Sequence, residues 1–165
     1  MDTILYTYNL ERLPGWSAVG RHLDRVCPPD RQDLKTELIR LFRLESYLDA
    51  RFSQLSMGQQ NRINLIRYLL QDFDLLILDE SLANVDEKLR RAILPAIKER
   101  FPDKMFLYIS HNLMEVARFC KEILVLAEPS RNMSSRVIEG LDDTSGGRVN
   151  KSALDRVMLE VMNAF

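Results

Sequence analysis

The segment Asp74-Leu75-Leu76-Ile77-Leu78-Asp79 limits the possible folds more than any other stretch of the chain. Its four aliphatic residues run without alternation and close on acid, the pattern of a strand buried on both faces. Such strands belong to parallel sheets, whose crossovers are helices. The flanking sequence fits that expectation. Residues 57–71 carry Ile63, Leu65, Ile66, Leu69 and Leu70 as a helix behind Ser56, a capping residue. Residues 86–100 repeat Leu89, Ile93 and Ile97 at four-residue intervals, and Pro95 is expected to kink that helix or end it early. Residues 105–110 read as a second buried strand, 112–121 as a helix, 122–127 and 136–138 as two more strands, and 151–163 as a final amphipathic helix.

The first half has a different texture. MDTILYTY at 1–8 reads as a strand, Pro14-Gly15 as a turn, and Cys27-Pro28-Pro29-Asp30 as a second break. Leu34, Leu38, Leu41, Phe42 and Leu48 predict a helix over 32–49, and 141–150 is a polar, glycine-containing linker. Apolar residues make up 46% of the 165 and charged residues 28%, which excludes a disordered tail, a collagen-like repeat and a disulfide scaffold. Lys and Arg total 23 against 24 for Asp and Glu, so nothing electrostatic favours nucleic acid or an anionic membrane surface. Cys27 and Cys120 lack metal-type spacing and read as two reduced thiols. Residues 1–5 have neither a basic start nor a long apolar run, so no signal peptide is expected there, and no window has the composition of a membrane helix.

Three places carry chemistry. Leu55-Ser56-Met57-Gly58-Gln59-Gln60 opens a helix, whose free N–H groups and positive dipole end suit a phosphate; the plainer reading is a serine-capped helix start. Asp79-Glu80 ends the buried strand, at the sheet edge where ligands bind in parallel α/β proteins. One carboxylate there can hold Mg²⁺ and the other act as a base toward water, or both simply begin a solvated loop. Ser110-His111 ends the next strand at the same edge, where His111 can hydrogen-bond a phosphate or be an ordinary surface histidine.

Their order carries more than any one of them. The series resembles the ATPase subunits of ATP-binding cassette (ABC) proteins: LSMGQQ is similar to the ABC signature, LLILDE to the Walker B strand, SLANVD to the D-loop and SHN to the histidine switch. YNLERLPGW at 8–16 resembles the Q-loop, with Asn9 where the family has a glutamine one methylene longer. The resemblance implies an incomplete P-loop NTPase core, α/β, with a parallel sheet and a small helical signature subdomain. It divides the chain into a Q-loop strand and loop at 1–15, a helical subdomain at 16–71, and the C-terminal half of the ATPase core at 72–165. The implied cofactors are ATP and Mg²⁺. Asp79 would support the metal, Glu80 would polarise the attacking water, and His111 would hold the γ-phosphate. Asn9 would sit near metal and water, and Asp86 would bridge to a second ATPase subunit. Ser56, Gly58 and Gln59 would close over nucleotide held by that second subunit. Ser81 stands where a proline is common, with little expected effect, and Arg62 and Arg67 would be structural ion-pair formers.

The resemblance also implies a transmembrane permease as partner, peripheral attachment at the cytoplasmic membrane face, and no nucleic acid. The apolar stretch 13–19, with Trp16, would dock that permease or else pack within the helical subdomain. The C-terminal helix resembles the tail of nitrate/sulfonate/taurine-type importers. What the 165 residues do not contain is the phosphate cradle Gly-x-x-x-x-Gly-Lys-Ser/Thr, the Walker A loop; Ser145-Gly146-Gly147-Arg148 and its neighbours lack the required glycines. In the family that loop's strand lies between the histidine-ending strand and the next, so a break is expected between 105–110 and 122–127. Three functions remain open: part of a transport ATPase that is inactive without the missing N-terminal segment, a non-catalytic half-domain capping ATP held by a complete partner, and a non-transport ABC ATPase.

Overall fold

The aliphatic run forms β2 (Leu75–Asp79), the middle strand of a three-stranded parallel sheet, between β1 (Ile4–Tyr8) and β3 (Met105–Ile109). In register, Ile4, Leu75 and Met105 lie side by side, as do Tyr6, Ile77 and Leu107, then Tyr8, Asp79 and Ile109. The computed structural model describes residues 3–9, 11, 13, 15–126, 134–144 and 149–164. Leu10, Arg12 and Pro14 of the loop after β1, Ala127 of the strand expected over 122–127, and 145–148 of the linker lie outside the described residues.

The chain divides into two units, one of residues 1–93 with 101–109, the other of 94–100 with 110–165. The first holds the parallel sheet and the helices α1 (Val19–Val26), α2 (Gln32–Leu41) and α3 (Met57–Leu69). Ile63, Leu65, Ile66 and Leu69 are fully buried on α3, which packs against α1, α2 and β1. One face of the sheet is covered: Thr7, Leu76 and Leu78 are buried, and Phe106 meets the rings of Phe73 and Phe101 edge-on.

The opposite face departs from the sequence expectation. β2 and β3 were expected to be buried on both sides, yet β3 alternates, with Met105 at 66%, Leu107 at 45% and Ile109 at 45% exposure. Ile4, Tyr6 and Tyr8 of β1 are open on the same face. A parallel sheet needs helices on both sides, and the described residues of this unit cover only one.

Helix α2 also stops earlier than expected, at Leu41 rather than 49. Arg43 takes the left-handed conformation (φ 53°), Arg43 N–H donates to Arg40 O, and Leu44 N–H to Ile39 O, both at 3.0 Å. That is a Schellman closure, built on arginine instead of the usual glycine and therefore invisible to a glycine-based reading. Helix α4 (Glu87–Arg100) runs through Pro95 rather than ending there. Ile93, Leu94 and Ile97 are all buried around the proline, and that burial outweighs the one backbone hydrogen bond proline removes.

The second unit contains the end of α4, α5 (Leu113–Phe119), α6 (Lys151–Met162) and a separate sheet of β4 (Glu122–Val125) and β5 (Arg136–Glu139). The break expected after β3 is present, because β3 and β4 belong to different sheets. β4 and β5 pair antiparallel, the one antiparallel strand pair among the described residues. Ala117, Ile123, Val125, Ile138, Val157 and Val161 make this unit's core. Asn112 and Asn150 cap α5 and α6 by accepting from Glu115 N–H and Ala153 N–H. Cys27 and Cys120 are free, and burial pushes the Cys120 thiol up to about 11, which keeps it protonated and unreactive at neutral pH. Among the described residues no helix is long and apolar enough to cross a membrane.

The open sheet face has a measurable consequence. The chain alone is expected to raise the fluorescence of an apolar dye such as anilinonaphthalene sulfonate and to self-associate at micromolar concentration, and Ile4→Lys with Leu107→Lys to lower both without loss of helix signal. A monomer by sedimentation that leaves the dye dark would contradict this account of the face.

Candidate functional site

The carboxyl ends of β1 and β2 bring the candidate residues of the first unit together. Asn9 follows β1, and its N–H donates to Asp79 O at 3.0 Å, extending the parallel ladder by one bond. Glu80 follows β2 with φ 49°, a left-handed conformation that costs a non-glycine residue about 1 kcal/mol or more. Two backbone bonds hold it there: Glu80 N–H donates to Ile109 O at 3.0 Å, and Ala83 N–H donates to Glu80 O at 2.9 Å. The chain thereby turns sharply off the sheet edge.

Asp79 lies on the open face beside Tyr6, whose hydroxyl donates to Asp79 Oδ2 at 2.6 Å. This hydrogen bond pushes the Tyr6 phenol above its ordinary value, since losing the proton would set two anions side by side. Among the described residues no group of three His, Cys, Asp or Glu side chains is placed to hold a metal. Mg²⁺ does not need such a cage, for it takes one or two carboxylates with waters and phosphate oxygens, and Asp79 supplies a carboxylate at a sheet edge.

The segment 81–86, which resembles the D-loop, is tied down at both ends. Ser81, buried, donates to Thr7 O at 3.0 Å, so this residue joins the loop to β1 where a proline could not. Asp86 caps α4, its Oδ1 accepting from Leu89 N–H at 3.2 Å. Between them, Asn84 donates its side-chain amide to Asn9 Oδ1 at 2.9 Å.

Ser56 and Gln59 form a capping box at the start of α3. Ser56 Oγ accepts from Gln59 N–H at 3.3 Å, and Gln59 Oε1 accepts from Ser56 N–H at 2.8 Å. The Ser56 hydroxyl keeps its own proton to donate outward. Gly58 is buried under the D-loop: a Cβ there would stand 2.1 Å from Asn84 O. Further along α3, Asn61 donates to the same Asn9 Oδ1 at 2.8 Å.

Glu11, in the loop after β1, is pinned to α3 as well. Glu11 pairs with Arg67 at 3.2 Å, accepts from the Tyr68 hydroxyl at 3.0 Å, and its backbone oxygen accepts from Asn64 Nδ2 at 3.0 Å. Arg67 is thus the ion-pair former expected. Arg62 is not: its guanidinium donates to Gly58 O in its own helix and to Phe42 O, an open carbonyl at the end of α2. The stretch 13–19 divides in the same spirit, with Val19 fully buried and Trp16 81% exposed.

His111 belongs to the second unit, exposed and next to Asn112, whose N–H donates to Ser110 Oγ at 3.1 Å. Sequence reasoning passed over Asn61, Asn84, Tyr6 and Glu11. Their signal was position: each lies within or beside a motif already singled out, and two of them carry the same short amide as Asn9.

Residues 8–83 match the family described as ABC transporter. The molybdenum import ATP-binding protein ModC of Brucella suis biovar 1 (strain 1330) is 40% identical over 128 residues, 74% of this chain and 35% of that protein. The zinc transport system ATP-binding protein TroB of Treponema pallidum (strain Nichols) is 32% identical over 126 residues, 73% of this chain and 47% of that protein. The chain therefore spans between a third and a half of the length of these relatives. Among solved structures, the ATP-binding cassette MJ0796 bound to ADP and Pi superposes with a TM-score of 0.62 at 19% identity, covering 74% of this chain and 58% of that one. A bacterial Atm1-family ABC exporter with ATP bound superposes with a TM-score of 0.64 at 19% identity, over 76% of this chain and 23% of that one. The fold is that of the ABC-type P-loop NTPases. The chain is homologous to the ATPase domain of ABC transporters. The nitrate/sulfonate/taurine-type resemblance of the C-terminal helix is not supported; the relatives named above are molybdenum and zinc transport proteins.

Two expectations follow from this geometry. Alanine in place of glycine ordinarily helps a helix by about 1 kcal/mol, but Gly58→Ala drives its Cβ into a backbone oxygen and should destabilise by about 1–3 kcal/mol in urea unfolding. The Tyr68 phenol is pushed up to about 12 by burial and by its hydrogen bond to Glu11. The folded state thus holds this proton longer than the unfolded chain, and stability should fall as pH rises from about 10 through 12. Absorbance titration of the folded chain should show a tyrosine titrating near 12 that Tyr68→Phe removes, and Glu11→Gln should bring it down.

Proposed function

We propose that the chain is a portion of an ATP-hydrolysing subunit of an ABC importer. The observation that carries this reading is the gathering of Asn9, Asp79, Glu80 and the 81–86 loop at one carboxyl edge of a parallel sheet, with the start of α3 packed on that loop. In this reading Asp79 would hold Mg²⁺, which shields phosphate charge when bound with ATP. Glu80 accepts a proton from the attacking water, and His111 hydrogen-bonds the γ-phosphate. Ser56, Gly58 and Gln59 face nucleotide held by a second subunit, and Asp86 bridges to that subunit. The exposed Trp16 suits contact with a transmembrane permease, which would keep the subunit at the cytoplasmic membrane face. The molybdenum import relatives favour an inorganic ion as cargo, molybdenum before zinc, although the permease rather than this subunit would select it.

A second reading has an observation of its own. The 165 residues contain no Gly-x-x-x-x-Gly-Lys-Ser/Thr cradle but do contain segments that resemble the signature and D-loop, so the chain could cap ATP bound by a full-length partner.

One experiment separates these readings. Calorimetry on the chain alone should find no saturable Mg-ATP binding at millimolar nucleotide. Joined to the N-terminal part of a molybdenum import relative that carries the cradle, the chain should bind and hydrolyse ATP. Glu80→Gln should then keep binding and lose turnover by about 100-fold or more, because an amide cannot take the proton. Unchanged turnover in that variant removes Glu80 from the role; binding without any hydrolysis in the joined wild type favours the capping reading.

A further inference from the structure

Asn9, Asn61 and Asn84 come from three separate segments and meet at one atom. The Oδ1 of Asn9 accepts from Asn61 Nδ2 at 2.8 Å and from Asn84 Nδ2 at 2.9 Å, which occupies both of its lone pairs. Asn9 is itself fixed to the end of β2 through its N–H and Asp79 O. Asn61 is 3% exposed, so its amide has little water to turn to if that acceptor is lost. Asn84 is exposed, and what holds it is the Asn9 bond on one side and the bare Cα of Gly58 under its carbonyl on the other.

We propose that Asn9 is a positioning residue that locks the start of α3 to the 81–86 loop, so that the two segments move as one body. An oxygen with both lone pairs committed to amides is not available to a metal or a water without releasing one of them. Glutamine would carry the acceptor about 1.5 Å further from the backbone, past the point where the two amides converge. The shorter side chain is therefore what this junction requires. The consequence is directional: a displacement of the loop that follows Asn9 reaches the signature and the D-loop together. The proposal rests on the reading that both segments face a second subunit, but the coupling itself exists within one chain and is measured there.

The test is hydrogen exchange read by mass spectrometry on the whole chain, comparing Asn9→Leu, which keeps the shape and removes the acceptor, with Asn9→Asp, which keeps the acceptor. Asn9→Leu should speed exchange across 81–86 about tenfold while the interior of α3 stays as in the wild type. Asn9→Asp should restore protection. Wild-type exchange in Asn9→Leu, or Asn9→Asp as fast as Asn9→Leu, overturns the proposal. Should Asn9→Leu fail to fold, Asn84→Ala removes only the exposed arm and must speed 81–86 by a similar factor; wild-type exchange there also overturns it. Coupling without ATP turnover in the joined protein would sink the functional reading and leave this one standing, and turnover without coupling would do the reverse.

Discussion

Strand β2 hydrogen-bonds to β1 on one side and β3 on the other, and the arrangement at its carboxyl end depends on that double pairing. In-register parallel strands finish together, so Asn9 arrives beside Asp79 and Ile109 beside Glu80. A slip of one residue would send every side chain on β1 to the other face. Leu76 and Leu78, buried in the covered layer with Thr7, hold the register. The same layer leaves Asp79 on the open face with the Tyr6 hydroxyl as its neighbour.

From that edge the 81–86 segment is held by hydrogen bonds as well as by the burial of Leu82 and Val85. Glu80 turns the chain in a left-handed conformation, Ser81 ties it to β1, Asn84 to Asn9, and Asp86 delivers it to α4 as a cap. Strain at one residue is thus offset by several satisfied polar groups around it, the usual economy of a functional loop. Gly58 completes the arrangement, since only a residue without Cβ lets α3 lie this close to Asn84.

Much of this was legible beforehand, and each failure has a local cause. The aliphatic run, the Ser56 cap and the four-residue spacing in α4 were read correctly because the signal is local and periodic. The early end of α2 was missed because arginine, not glycine, supplies its positive φ. Of the two outcomes expected at Pro95, an early end of α4 did not occur, because burial overrode propensity. Continuous apolar composition in β3 said nothing about which side would be covered, and it proved covered on one. The pairing of β4 with β5 as an antiparallel hairpin likewise depends on the core they share with α5 and α6, not on their own composition.

By itself the sequence determined the kinds of elements, their order, and the acidic, amide and histidine residues that end the strands. These are properties of neighbours in the chain, where spacing and side-chain type suffice. The tertiary structure alone decided which of those residues meet. That Asn9, Asn61 and Asn84 share one oxygen, or that Tyr6 caps Asp79, depends on contacts between residues more than fifty positions apart, and no local pattern encodes such a distance.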